Sequence, residues 1–442
     1  MELFELEIES LAYQGFGVGR TKDGKITFVP HTAPGDLVRV RPKVEKKSYR
    51  EAELVELIQN GPARVERSCP YAAQCGGCQW QHIAYSEQLF AKRSAVVSAL
   101  VRIGHYPHEV ADALVGECVA SKREMGYRNK LELACTRDAA GRIVLGFHGA
   151  SSSDIVSVES CPLAHSSIAK APRALQGALR YMEGTGNFGI FRVGVRHSMR
   201  TKSCEIALWT TPGAVPRAAL AKTLSDALKT TSIVRVVAEE GKARKIKQVE
   251  GLSGPGHWTE ELGADEFRVS APSFFQVNTA QAEVLQRLVI EGLELTDGMD
   301  VADLYSGVGT FSLPLARITG MCSAVESSGP AVRDLRHNAD RAGVPLDVIG
   351  GDSARELPEL GKLDALVLDP PRAGLAEGVV ESIAAAAPER LAYVSCDPAT
   401  LARDAALLSA CDYELLHCTP VDLFPQTYHV ETVSIFAAKH TR

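Results

Sequence analysis

Val301-Ala302-Asp303-Leu304-Tyr305-Ser306-Gly307-Val308-Gly309-Thr310 is a short apolar run that ends in a glycine-rich turn, the pattern of a buried strand passing into a helix. The alternation continues downstream. Met321 to Glu326, Leu346 to Ile349, Leu363 to Asp369 and Arg390 to Cys396 read as four further strands, with helices over 310–318, 328–342, 375–386 and 398–410. Apolar strands separated by helices predict an α/β fold, a parallel, doubly wound, Rossmann-like sheet over residues 271–442. Ligands of such sheets lie beyond the carboxyl ends of the strands. The chemically capable residues fall there: Tyr305 and Gly307 after the first strand, Glu326 ending the second and Asp352 after the third. Asp369 ends the fourth, in Asp369-Pro370-Pro371-Arg372, and Cys396 ends the fifth, in Val394-Ser395-Cys396-Asp397-Pro398. A late carboxylate, Glu431, follows in His429-Val430-Glu431-Thr432-Val433.

This placement separates the possible ligands. Glu326 stands where a carboxylate can bind ribose hydroxyls. An NAD site prefers Gly-x-Gly-x-x-Gly, whereas Gly307-Val308-Gly309-Thr310-Phe311-Ser312 lacks the third glycine, and there is no Walker lysine for ATP. The pattern favours a nucleoside ligand without a pyrophosphate, and S-adenosylmethionine fits best.

Upstream, residues 1–58 read as short strands with Gly and Pro turns, the signature of a small β-barrel. Leu3, Leu6 and Ile8 begin one strand; Gly15, Gly17 and Gly19 are expected to form a turn; Lys25 to Val29, a stretch from Leu37 and Ala52 to Leu57 supply the others. Arg39, Arg41, Lys43, Lys46, Lys47 and Arg50 form either a solvated hairpin face or a surface for phosphates. Residues 59–270 read as a central α+β domain. It opens on Cys69-Pro70-Tyr71-Ala72-Ala73-Gln74-Cys75-Gly76-Gly77-Cys78, with Cys161-Pro162 about 80 residues on. Four such thiols suit either tetrahedral zinc or a four-iron cluster, with His82 as a minor further candidate. A helix over 85–103, which can pack on the catalytic domain, and one over 216–229 stand among the strands, and the internal arginines read mainly as residues of half-exposed strand faces.

The 442 residues allow two to three domains, and 45% hydrophobic with 23% charged residues is ordinary for a globular chain. No run is long and apolar enough for a membrane span, and the acidic N-terminus does not read as a signal peptide. Eleven irregularly spaced cysteines favour a reducing cytoplasm. The net charge of −6 weighs mildly against nucleic acid, although local patches decide such matters.

Taken together, these residues resemble the 5-methyluridine RNA methyltransferases, in particular the iron–sulfur branch acting on 23S rRNA, over almost the whole chain. The resemblance implies a TRAM domain at 1–58 and a [4Fe-4S] cluster on Cys69, Cys75, Cys78 and Cys161. It implies cofactor contacts from Gln276 (in Ser273-Phe274-Phe275-Gln276-Val277-Asn278), Tyr305, Glu326, Asp352 and Asp369, with Cys396 as nucleophile and Glu431 as general base. The expected enzyme is cytoplasmic and monomeric, with RNA and no membrane as partner. The same chemistry on tRNA is the alternative, and an inactive iron–sulfur RNA-binding protein is a third reading. The chemistry needs these residue types because uracil carbon 5 is a weak nucleophile. A thiolate adding to carbon 6 activates it, and a base must then remove the carbon-5 proton. The helix start at Asp397-Pro398 is expected to lower the pKa of the Cys396 thiol, with the Asp397 charge working against it. Phe274 and Phe275 are candidates for stacking on displaced bases, with at least one of them in the core.

Overall fold

The computed structural model describes residues 2–150, 153–184, 187–239 and 242–439. The strands at the N-terminal end form a six-stranded sheet in the order Phe4–Glu7, Leu37–Glu45, Tyr49–Gln59, Ile26–Val29, Gly17–Arg20, Ser10–Leu11. It wraps a small core of Leu6, Ile8, Val29, Val38, Val40 and Ala52. Gly17 and Gly19, expected in a turn, are instead strand residues. A Cβ on Gly17 would lie 2.0 Å from Thr32 Oγ1, and one on Gly19 would lie 2.2 Å from the Glu7 carbonyl oxygen. Glycine is needed here for close approach rather than for turning. The basic run on strands Leu37–Glu45 and Tyr49–Gln59 is largely ion-paired: Arg39 with Glu5 and Glu56, Arg41 and Lys43 with Glu53, and Arg50 with Glu45.

The central sheet has seven strands, in the order Lys242–Ser253, Ser232–Glu239, Cys204–Thr210, Ile190–His197, Lys130–Arg137, Ile143–His148, Ile155–Ser157. Helix Arg217–Ala227 packs on it, and so does helix Ala171–Glu183, which the sequence reading passes over. Arg196 and Arg235 are buried in this sheet and donate to backbone carbonyls and Thr210. Their role is structural.

The catalytic sheet runs Leu346–Gly350, Cys322–Glu326, Val301–Leu304, Ala365–Leu368, Arg390–Ser395, Glu431–Ala438, Tyr413–Val421. The first five strands are parallel, as expected, and the last two are antiparallel to their neighbours. Hairpin Trp258–Leu262/Asp265–Val269 packs on this unit through Trp258 and Phe267, which both meet Phe275. Helix Tyr85–Arg102 joins it from the opposite side through Val96, Val97 and Leu100. No helix among the described residues is long and apolar enough to cross a membrane.

One segment, 422–430, is gripped by nearly every other part of the chain. Lys92 and Asp422, both fully buried, form an ion pair. Lys92 Nζ also donates to the Phe424 carbonyl at 3.1 Å, and the Tyr85 hydroxyl donates to Asp422 Oδ2 at 2.8 Å. Gln88 and Gln426 exchange two hydrogen bonds of 3.1 and 2.9 Å. Tyr127 donates to the Pro425 carbonyl, Asn278 to that of Leu423 and Gln281 to that of Asp422. Removing one partner of a buried ion pair leaves an uncompensated charge. Lys92→Ala is therefore expected to lower unfolding stability by about 3–5 kcal/mol in urea titration, and Lys92→Met combined with Asp422→Leu to recover most of that loss. A Lys92→Ala unfolding curve superimposable on the wild type would show that the pair contributes nothing.

Candidate active site

The glycine turn after Leu304 is built on left-handed backbone. Gly307 and Gly309 have φ of 57° and 100°, and Tyr305, which carries a side chain, has φ 63°. Strain of this kind at a strand end collects where a ligand is held. The Glu326 carboxylate accepts from Gly307 N at 2.9 Å and Ser328 N at 2.6 Å, so it fixes the turn from the next strand. Asp352 caps the following short helix, accepting from Ala354 N at 3.1 Å. Ladder register sets these residues abreast. Leu304 pairs with both Val325 and Leu368, so Tyr305, Glu326 and Asp369 emerge along one edge of the sheet.

The same logic brings the two most distant candidates together. In the antiparallel ladder Ser395 pairs with Thr432. The next residue on one strand is Cys396 and the previous residue on the other is Glu431, so thiol and carboxyl stand opposite each other. Glu431 is only 4% exposed. Burial first, and the charge of Asp369 second, push its pKa well above the usual carboxylate range, against the pull of Arg372. Asp369 keeps an accessible edge but sits deep in the protein, where burial raises it to about 7. Asp303, in the strand beneath, is likewise raised to about 7 by burial and by Asp369 and Glu326, although Ser312 donates to it.

The Cys396 thiol departs from expectation. Its pKa is pushed up to about 12, not lowered, by burial and then by Glu431, with further contributions from Asp369 and Asp397 and only Arg372 opposing. The helix start cannot help, because Asp397 itself occupies it, accepting from Ala399 N at 2.8 Å and Thr400 N at 3.3 Å.

Three buried polar atoms of this region have no hydrogen-bond partner among the described residues: Gln276 Oε1, Asp303 Oδ1 and Ser306 Oγ. Gln276 is placed by the bond from Asn129 Nδ2 to its carbonyl at 2.9 Å, which leaves the side-chain amide oxygen free. A set of orphaned acceptors and hydroxyls beside carboxylates suits a polar, positively charged nucleoside such as S-adenosylmethionine. Of the expected stacking pair, Phe275 is a core residue at 5% exposure while Phe274 is 65% exposed.

The four cysteines line one cavity of about 140 Å³, together with Arg128, Leu131, Phe147 and Leu163. They are free thiols. Among the described residues no three His, Cys, Asp or Glu side chains are close enough to hold a single metal ion. A single zinc draws its sulfurs to within ~3.8 Å of one another, from a Zn–S bond of about 2.3 Å. Four thiols on one cavity match the ligand number of a four-iron cluster. A Cβ on Gly76 would lie 2.9 Å from the Gly149 carbonyl oxygen, and Gly77 N donates to Cys75 Sγ at 3.4 Å. Burial raises the Cys75, Cys78 and Cys161 thiols, Cys78 to about 12, and Arg128 is the cation that opposes this at all three. His82 is not part of this cavity; its Nε2 faces the Thr32 carbonyl oxygen at 3.2 Å in the barrel.

Several residues join the site without having been singled out in the sequence. Arg372 donates to His429 Nδ1 at 3.4 Å, and Tyr13 of the barrel donates to Asp397 Oδ2 at 3.3 Å. The first two lie within a few residues of Asp369 and Glu431, so their neighbours carried a signal. Tyr13 lies 384 positions from its partner, and no local pattern points to it.

Known proteins show what the whole chain is similar to. Residues 2–55 match the TRAM domain model and 358–439 the model for tRNA (Uracil-5-)-methyltransferase. The chain is similar to an uncharacterized RNA methyltransferase of Gloeobacter violaceus, 36% identical over 97% of this chain and 94% of that protein. It is also similar to one of Thermosynechococcus vestitus, 36% identical over 98% and 97%. Among solved structures it resembles the Pyrococcus abyssi tRNA (uracil-54, C5)-methyltransferase in complex with S-adenosyl-L-homocysteine. That likeness has a TM-score of 0.75 and 28% identity, and covers 98% of this chain and all of that one. With a TRAM domain on a Rossmann-like unit, and relatives that match it over nearly their whole length, the chain belongs to the S-adenosylmethionine-dependent RNA (uracil-5-)-methyltransferases.

Proposed function

We propose that this enzyme methylates carbon 5 of a uridine in 23S rRNA through a covalent adduct with Cys396, and that Glu431 removes the carbon-5 proton. The observation that supports this reading is the Ser395–Thr432 pairing, beyond which Cys396 and Glu431 are the next residues on the two adjacent strands, close enough for the Glu431 charge to act on the thiol. S-adenosylmethionine supplies the methyl group and, with it, a positive charge. Gln276, Tyr305, Glu326, Asp352 and Asp369 are the residues that would hold it. The target base must leave its stack to reach Cys396. The thiol gives its proton to water and its sulfur bonds to carbon 6, and the electron pair of the carbon 5–carbon 6 double bond moves onto carbon 5 and the adjoining carbonyl oxygen. Carbon 5 then bonds to the methyl carbon as that carbon's bond to the sulfonium breaks, which leaves S-adenosylhomocysteine. Glu431 takes the carbon-5 proton, the electron pair re-forms the double bond, and the thiolate departs. Burial and the Asp369 charge raise the proton affinity of this carboxyl, the direction a proton acceptor needs. Arg372 is the cation set against the surrounding carboxylates and the one group that favours the thiolate.

Cys69, Cys75, Cys78 and Cys161 are proposed to hold a four-iron cluster with a structural role, since four thiolates leave no iron open to substrate. Methylation of tRNA is the second reading. It is favoured by the likeness to the Pyrococcus abyssi tRNA (uracil-54, C5)-methyltransferase, which spans the barrel as well as the catalytic unit. The barrel alone therefore does not choose between RNAs. Mapping 5-methyluridine in rRNA and tRNA of a strain lacking this protein decides: a missing methyl group in 23S rRNA supports the first reading, one missing from tRNA the second.

Three outcomes test the chemistry. Cys396→Ala is expected to bind S-adenosylhomocysteine as the wild type does and to transfer no label; product at near wild-type rate would remove the adduct from the mechanism. Glu431→Gln should methylate without release, leaving a protein–RNA adduct that survives denaturing electrophoresis and disappears when Cys396→Ala is added. Normal turnover without adduct would assign the base elsewhere. Anaerobically purified protein should be brown, with iron and sulfide in near-equal amounts, and Cys78→Ser should lose the colour. Colourless protein with about one zinc per chain would refute the cluster.

A further inference from the structure

Four aromatic rings from two different parts of the chain form a run of contacts that ends on Asp397, the residue after Cys396. Tyr13 lies in the loop between strands Ser10–Leu11 and Gly17–Arg20 of the barrel. Its hydroxyl is anchored on Asp397, one residue beyond Cys396. Its ring meets that of Tyr428 edge-on, with centroids 5.4 Å apart. Tyr428 lies obliquely on His429 at 4.2 Å, and Phe424 flanks His429 at 6.0 Å.

The group is held rigidly. The Trp80 indole donates to the Gly15 carbonyl at 3.4 Å, and a Cβ on Gly15 would lie 3.0 Å from Gln79 Cβ and 3.3 Å from Tyr428 Cδ1. The barrel loop is thus pressed onto the catalytic segment. Yet Tyr13, Tyr428 and His429 are only half-buried, whereas a cluster that merely filled core would be closed to water. Burial and the charges of Arg372, Lys92 and Arg128 hold the His429 pKa near 4, so the ring is neutral and presents a face rather than a charge. Beside it the exposed Arg372 supplies the positive charge a backbone phosphate needs.

A uridine turned out of its stack leaves a neighbouring base without a stacking partner, and aromatic side chains serve as its replacement in RNA recognition. We propose that Tyr13, Tyr428 and His429 form a stacking subsite for a base adjoining the target uridine, built jointly by the barrel and the catalytic domain. The proposal rests on the uracil methylation reading for where the target lies. It makes the barrel a reader of RNA conformation at the site.

The test uses the full-length protein and a synthetic RNA copying the segment around the mapped methylation site, with a fluorescent purine analogue on one or the other side of the uridine. Wild type should quench the analogue on one side. Tyr13→Phe, which keeps the ring, should quench equally. Tyr13→Leu and Tyr428→Leu, which keep bulk without a π-face, should lose the quenching and bind the RNA about tenfold more weakly, in line with the loss of one stacked base. Unchanged S-adenosylhomocysteine affinity in each variant shows that the fold is intact, and Tyr428→Leu carries the test if Tyr13→Leu fails that control. Quenching and affinity that are the same in the leucine variants as in the wild type would overturn the subsite and leave Tyr13 a docking residue. So would wild-type protein that quenches on neither side. Methyl transfer is scored in the same samples, so a probe that is quenched but not methylated overturns the activity reading and not the subsite.

Discussion

The buried pair of Lys92 and Asp422 is the constraint on which this molecule turns. Neither charge is tolerable in the interior without the other, and together they tie helix Tyr85–Arg102 to the segment that carries Tyr428, His429 and Glu431. That helix precedes the central sheet in sequence but packs on the catalytic one, beside Leu401 and Leu408. The chain is therefore not a row of independent beads. Its early helix braces its last loop, and the barrel leans on that loop through Trp80 and Gly15.

The cysteine cavity belongs to the same frame. Arg128, which faces the thiols, follows Tyr127, whose hydroxyl holds the Pro425 carbonyl at 3.1 Å. The Cys75 strip is pinned to the central sheet where Gly76 N donates to the His148 carbonyl at 2.9 Å. A cluster closing this cavity would stiffen the junction between the central sheet and the 422–430 segment. Such a role requires no redox change.

Much of this was legible in the sequence because parallel strands and helices leave a strong local mark. The strand ends that carry Tyr305, Glu326, Asp369 and Cys396 follow from apolar runs and glycine turns alone. Glu431 was legible as a residue, but its partnership with Cys396 depends on an antiparallel ladder that no local pattern specifies. Gly17 and Gly19 misled because glycine marks close approach as well as turns. The Cys396 thiol misled for a different reason. A helix start predicts a lowered pKa only while its amides are free, and Asp397 already holds them. The contact between Tyr13 and Asp397 lay beyond reach because it exists only once two domains have met.

Strand Glu431–Ala438 is buried along nearly its whole length, so it lacks the inward–outward alternation by which most strands find their register. Displaced by one residue, it would bury nearly the same apolar surface while turning Glu431 to the opposite face. What fixes the setting lies outside the strand, in the clamped 422–430 loop that feeds it. Folding and alignment are thus separate achievements in this enzyme. A change far from this strand can leave a well-packed protein in which Cys396 and Glu431 no longer meet.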